Sequence, residues 1–204
     1  MKRLKMAVVG AGFMGQLHAK TIFECDSSEL VAIVDLNEDL GRMLANKYNI
    51  SYFKNIEEAL ETDLVEAFSV ALPDRLHVET TSKILLSGKS VLLEKPMADT
   101  LDGAKKIANA AISGGGRLMI AHIMRFDPRY AQAAQIVRNG DIGEIVHVSA
   151  KRFSLRDVGI RMNGTSSVLF YLGIHDVDAM QWVTNKKIKK VFSRSVSKLM
   201  PSFE

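Results

Sequence analysis

The stretch KMAVVGAGFMGQLH, residues 5–18, decides the fold. An apolar run, Met6 to Val9, meets Gly10, Gly12 and Gly15, and the residues that follow have helical spacing. A G-x-G-x-x-G pattern alone is a weak signal; a strand before it, a helix after it and an acid about twenty residues on make it strong. Asp35 stands at the end of the second apolar run, twenty positions after Gly15. In this reading Gly10 permits a tight turn, Gly12 lets the backbone approach a pyrophosphate and Gly15 lets helix pack on strand. Phe13 and Met14 occupy the variable positions beside the phosphates, and the helix N-terminus supplies N–H donors. Asp35 accepts hydrogen bonds from the adenine ribose hydroxyls, whereas a 2′-phosphate would meet like charge. Leu36 and Asn37 add no positive charge, and Arg42 is the one nearby base, so NAD is favoured over NADP. A helix cap is the alternative role for Asp35.

Outward from this loop, apolar runs alternate with amphipathic segments. Strands are expected at Lys5–Gly10, Leu30–Asp35, Ser51–Phe53, Val65–Ala71, Ser90–Leu93 and Arg117–His122. Helices are expected at Gly15–Cys25, Glu38–Tyr48, Asn55–Leu60, Asp74–Leu86 and Leu101–Ile112. Such alternation implies a parallel, doubly wound sheet. The rhythm changes near MRFDPRY, which divides the chain into residues 1–122 and 123–204. The second part carries expected helices at Tyr130–Val137 and Ser167–Val183, and strand-like alternation at Glu144–Phe153 and 187–196.

Composition bounds the function. With 47% apolar and 25% charged residues the chain is that of a globular protein. The basic start is followed by an apolar run that glycines interrupt, unlike a secretory leader. No apolar segment approaches the ~20 residues of a bilayer span, and Cys25 alone makes no intrachain disulfide, so a reducing cytoplasm is expected. The net charge of +4 collects in KKIKKVFSRSVSK, where it alternates with Ile188, Val191 and Val196 as one wet face of a strand; no nucleic-acid or membrane partner is assigned, and no metal site.

In an open parallel sheet ligands bind beyond the carboxyl ends of the strands. Strands one, four and five end at the glycine loop, at ALPDRLH and at EKP. Pro96 keeps Lys95 extended, projecting its ammonium off the strand end, where it can stabilise an alkoxide that develops on substrate. Burial lowers the pKa of such a lysine and Glu94 raises it, so its direction is open at this point.

GAGFMGQLHA, ALPDRLHVE, LLEKPMA, HIMRFDPRY and GIHDVDAMQW stand in order along nearly the whole chain. In these marks the sequence resembles the glucose-fructose oxidoreductase, inositol dehydrogenase and rhizopine catabolism protein family. The resemblance implies a Rossmann domain, then an incomplete α/β domain with an open, mostly antiparallel sheet. It implies NAD-linked hydride transfer between nicotinamide and a secondary alcohol or ketone of a sugar, nucleotide sugar or cyclitol. The alternative is a catalytically silent NAD-binding sensor or assembly subunit. By resemblance Lys95 and His175 are catalytic, with Tyr171 standing one turn before His175 where relatives often have Asp. A phenol stays neutral, so the family's proton relay is altered here, and Asp178 is another candidate to orient His175. The resemblance also places Leu72, Pro73, His77 and Glu94 along the cofactor and His122 and Arg125 at the substrate; a cap or ion pair is the other role for His77 and Arg125. Trp182 is expected in the core. The sparse second sheet leads to a further expectation: the chain is part of a longer protein, or covers that sheet with a second copy as a homo-oligomer.

Overall fold

Residues 2–155 and 166–196 of the 204 are described by the structure, a computed structural model. The apolar runs of the first half become β1 (Leu4–Val9), β2 (Ser28–Val34), β3 (Ser51–Phe53), β4 (Ala67–Val70), β5 (Ser90–Leu93) and β6 (Leu118–Ile120). They pair in parallel in the order β3-β2-β1-β4-β5-β6. This is the order of a doubly wound dinucleotide-binding sheet, with β1, β4 and β5 side by side. Side chains alternate between two cores, as strand geometry requires. Val8 and Ile33 pack with Ala19, Ile22 and Leu44, while Ala7, Phe68 and Leu93 pack with Ile84, Leu85 and Ile107.

The first unit, Met1–Ala121, also holds α1 (Phe13–Glu24), α2 (Glu38–Tyr48), α3 (Ile56–Leu60), α4 (His77–Leu86) and α5 (Leu101–Gly114). Asn37, Asn55 and Thr100 cap α2, α3 and α5 by accepting from the N–H groups of Leu40, Glu58 and Gly103. The helix expected from Asp74 starts instead with a 3-10 turn, Asp74–Leu76, after Pro73. α1 begins at Phe13, so Gly15 lies inside the helix rather than opening it.

The second unit, His122–Glu204, has a 3-10 turn at Ile123–Phe126, α6 (Pro128–Asn139), a π-helical turn at Leu169–Gly173 and α7 (Ile174–Thr184). α6 starts earlier than expected because Asp127 caps it and Pro128 takes the first helical position. Two expectations are corrected. The open, mostly antiparallel sheet is not formed among the described residues: neither 144–153 nor 187–196 is a strand, and the sheet is all-parallel and lies in the first unit. Alternation becomes a strand only where a second backbone completes the ladder, and these segments find none among the described residues. The continuous helix expected over 167–183 is interrupted by the π turn just before α7. Among the described residues no helix is long and apolar enough to cross a membrane.

Candidate functional site

The glycine loop joins β1 to α1 at the carboxyl edge of the sheet. Gly10 has φ +101°, and a Cβ there would stand 2.5 Å from the Ala71 carbonyl oxygen. At Gly15 a Cβ would meet the Gly10 carbonyl oxygen at 1.7 Å, so only glycine lets α1 approach this closely. The space around Gly12 is open. No side chain caps α1 and no acid lies in its first turn. Bare N–H donors, the positive end of the helix dipole and an open approach fit a pyrophosphate.

Asp35, half-buried at the end of β2, has its carboxylate bound from both sides. Oδ2 accepts from the Ala11 N–H at 2.5 Å and Oδ1 from the Asn37 N–H at 2.7 Å, while the Tyr52 hydroxyl donates to the Asp35 carbonyl at 2.9 Å. Asn37, not Asp35, is the cap of α2. Each carboxylate oxygen retains a second lone pair for a ribose hydroxyl. Arg42 is held elsewhere: its Nε donates to Glu38 at 2.7 Å and its guanidinium lies 4.9 Å from the Tyr52 ring centroid. Beside Asp35 opens a cleft lined by Val34, Leu36, Lys54, Leu72 and Leu76, with apolar walls suited to a flat base.

At the end of β5, Glu94 is buried and organised by its neighbours. Its Oε1 lies 3.0 Å from His18 Nε2, and Oε2 accepts from the Lys95 N–H at 3.0 Å. His18 Nδ1 lies 2.7 Å from the hydroxyl of wholly buried Ser69 on β4. With the Ser69 hydroxyl donating to Nδ1 and Nε2–H donating to Glu94, every group is satisfied. Burial pushes the Glu94 carboxyl up, but the hydrogen bonds from His18 and the Lys95 N–H and the nearby positive charge outweigh it, leaving its pKa below the ordinary value. For Lys95 burial prevails over the charges of Glu94 and Asp74, so its ammonium is held below the usual lysine range. The Lys95–Pro96 peptide is cis.

His77 is the first residue of α4. It is 1% exposed, with Nδ1 2.7 Å from the Pro96 carbonyl oxygen and Nε2 2.9 Å from that of Leu72. Its ring ties the loop after β4 to the loop after β5 and stands one step behind the surface. Pro73 is exposed and Leu72 half-buried on that edge, and Phe13 and Met14 are exposed at the glycine loop.

In the second unit Arg125 grips the buried Asp178 carboxylate, with Nε donating to Oδ2 at 2.9 Å and Nη2 to Oδ1. The hydrogen bond to Asp178 holds the guanidinium pKa above its ordinary value. His122 Nδ1 lies 3.6 Å from the same carboxylate. Asp178, a candidate partner of His175 by sequence, thus faces Arg125 and His122. Tyr171 lies on the π turn, its N–H donating to the Ser167 carbonyl at 2.9 Å, and His175 is the second residue of α7. Trp182 is partly buried, under the Arg138 guanidinium at 5.2 Å, rather than in the core. Among the described residues no group of His, Cys, Asp and Glu could hold a metal ion. His18 and Ser69 escaped the sequence reading. The available signal was the buried stripe Gly15, Ala19 and Ile22 of α1, against which His18 stands one turn after Gly15.

A family profile described as "Oxidoreductase family, NAD-binding Rossmann fold" matches residues 4–122, and one described as "GFO/IDH/MocA C-terminal domain" matches residues 130–201. An inositol 2-dehydrogenase of Rubrobacter xylanophilus is 30% identical over 199 residues, 96% of this chain and 56% of its own. The rhizopine catabolism protein MocA of Rhizobium meliloti is 29% identical over 188 residues, 92% of this chain and 59% of its own. The crystal structure of scyllo-inositol dehydrogenase from Lactobacillus casei with bound NAD(H) and scyllo-inositol is similar in fold, with a TM-score of 0.81 at 22% identity over 91% of this chain and 57% of that one. The chain therefore spans between half and two thirds of the length of these relatives.

Proposed function

The chain belongs to the GFO/IDH/MocA oxidoreductase family, and on that premise we propose that it is an NAD-dependent dehydrogenase acting on a secondary alcohol of a cyclitol or sugar. The observation that carries this reading is Lys95. It leaves the end of β5, two strands from the glycine loop of β1, half-buried and with a pKa held down by that burial. NAD, when bound, supplies the hydride acceptor. Lys95 donates a hydrogen bond to the reacting oxygen and stabilises the alkoxide left when the hydroxyl proton departs, from which hydride leaves to give the ketone. A lowered pKa brings the ammonium nearer to the range in which it can pass on a proton. His175 takes the proton, having a side chain suited to that exchange near neutral pH, and Tyr171 supports it as a neutral hydrogen-bonding group. Phe13, Met14, Leu72 and Pro73 line the cofactor, and His122 and Arg125 border the substrate.

NAD is favoured over NADP because Asp35 meets the ribose while Arg42 is committed to Glu38 and Tyr52. We place the enzyme in the cytoplasm, as a homo-oligomer. The inositol dehydrogenases among its relatives direct the choice of substrates. Incubation with NAD and a panel of inositol stereoisomers and sugars should yield NADH with at least one of them. No NADH with any member, from protein that binds NAD, would overturn the reading.

A further inference from the structure

We propose that His18 is a positioning residue for Lys95: from α1 it holds the Glu94 carboxylate, and through that carboxylate it fixes the electrostatic setting of the lysine. This rests on the reading of Lys95 as the group that acts on substrate oxygen. One imidazole here joins three elements, the helix that opens at the glycine loop, β4 through Ser69 and the end of β5 through Glu94. Both polar side chains are nearly closed from water, at 14% exposure for His18 and 11% for Glu94. An apolar pair of similar volume would hold helix to sheet without the cost of desolvating a carboxylate, so packing alone does not call for them.

What the pair provides is a fixed negative charge. Oε1 is held by His18 and Oε2 by the Lys95 N–H, which leaves the carboxylate locked one residue from the ammonium. Among the described residues the charges acting on Lys95 include Glu94 and, from the turn before α4, Asp74; Glu94 is held by the hydrogen bonds from His18 and the Lys95 N–H and by the Lys95 charge. His77 of α4 meets this loop only through the Pro96 carbonyl. At the alkaline pH where a lysine titrates the Glu94 carboxylate stays ionised, so what the loss of the His18 donor changes is its position: Oε1 is released and the carboxylate can turn away. With the negative charge no longer held beside it, Lys95 should give up its proton at lower pH.

The test needs no substrate. The rate at which an amine-reactive acylating reagent modifies Lys95, followed by mass spectrometry of the Lys95 peptide across pH, gives the midpoint of its titration. His18→Asn keeps an amide within reach of Ser69 but not of Glu94, and should lower the midpoint by roughly half a unit or more. His18→Gln, whose amide reaches Glu94, should restore it. Glu94→Gln removes the charge at constant shape and should lower the midpoint whether or not His18→Asn folds. A midpoint that stays or rises in His18→Asn would overturn the proposal, as would one that does not fall in Glu94→Gln. Failure of the dehydrogenase reading is distinguishable, because it appears as absent hydride transfer while these midpoints still move.

Discussion

The proposed preference for NAD rests on one residue, Asp35. Its carboxylate is pinned by the N–H groups of Ala11 and Asn37, so a 2′-phosphate arriving there meets a charge that cannot turn away, and Arg42 is engaged by Glu38 and Tyr52. Calorimetry should show NAD binding tighter than NADP by about tenfold or more, a difference of ~1.4 kcal/mol; equal affinities would contradict this assignment. Glu94 makes a second prediction. Its folded pKa lies below its ordinary value of 4.5, so it contributes stability above about that pH, and the contribution is lost as pH falls through the folded value. Urea midpoints of the protein and of Glu94→Gln should therefore differ most near neutral pH and converge on acidification. A gap independent of pH would count against a lowered pKa. Gly10, Gly12, Gly15 and Asp35 were legible because their spacing is local. His18 was not, because its partners Ser69 and Glu94 lie 51 and 76 residues away, and only the assembled sheet brings them together.

At the scale of elements, the six strands of the first unit were the most legible part, since their apolar runs read the same in sequence and in structure. β3 and β5 have the expected bounds, and the others differ only at their ends. Helix starts shifted where capping outweighed periodicity, as at Asp127–Pro128 before α6. The π turn over Leu169–Gly173 had no local marker that periodicity could separate from an α-helix. α5 depends on its cap: Thr100 accepts from the Gly103 N–H at 3.1 Å, next to the loop that carries Lys95. Thr100→Ala should lower stability by about 1 kcal/mol, read from the urea midpoint, without altering NAD affinity. An unchanged midpoint would mean that the cap is redundant.

For the whole molecule, the two units were not equally legible. The first unit closes its core within its own residues, so pattern sufficed. In the second, the alternation of 144–153 and 187–196 requires strand partners that the described residues do not supply, and Val146, Phe153, Val191 and Phe192 are left 80–95% exposed. In the proposed homo-oligomer these residues meet a second copy. Light scattering of the 204-residue chain should give a dimer or larger species; a monomer at high micromolar concentration would contradict it. Lys95 is proposed to act on substrate oxygen and not on the dinucleotide. The most direct measurement compares Lys95→Ala with the unaltered protein, NAD affinity by calorimetry and hydride transfer by NADH formation on a polyol that the protein oxidises. NAD affinity should stay within a few-fold and turnover should be abolished, whereas turnover largely retained by Lys95→Ala would rule out this role for the lysine.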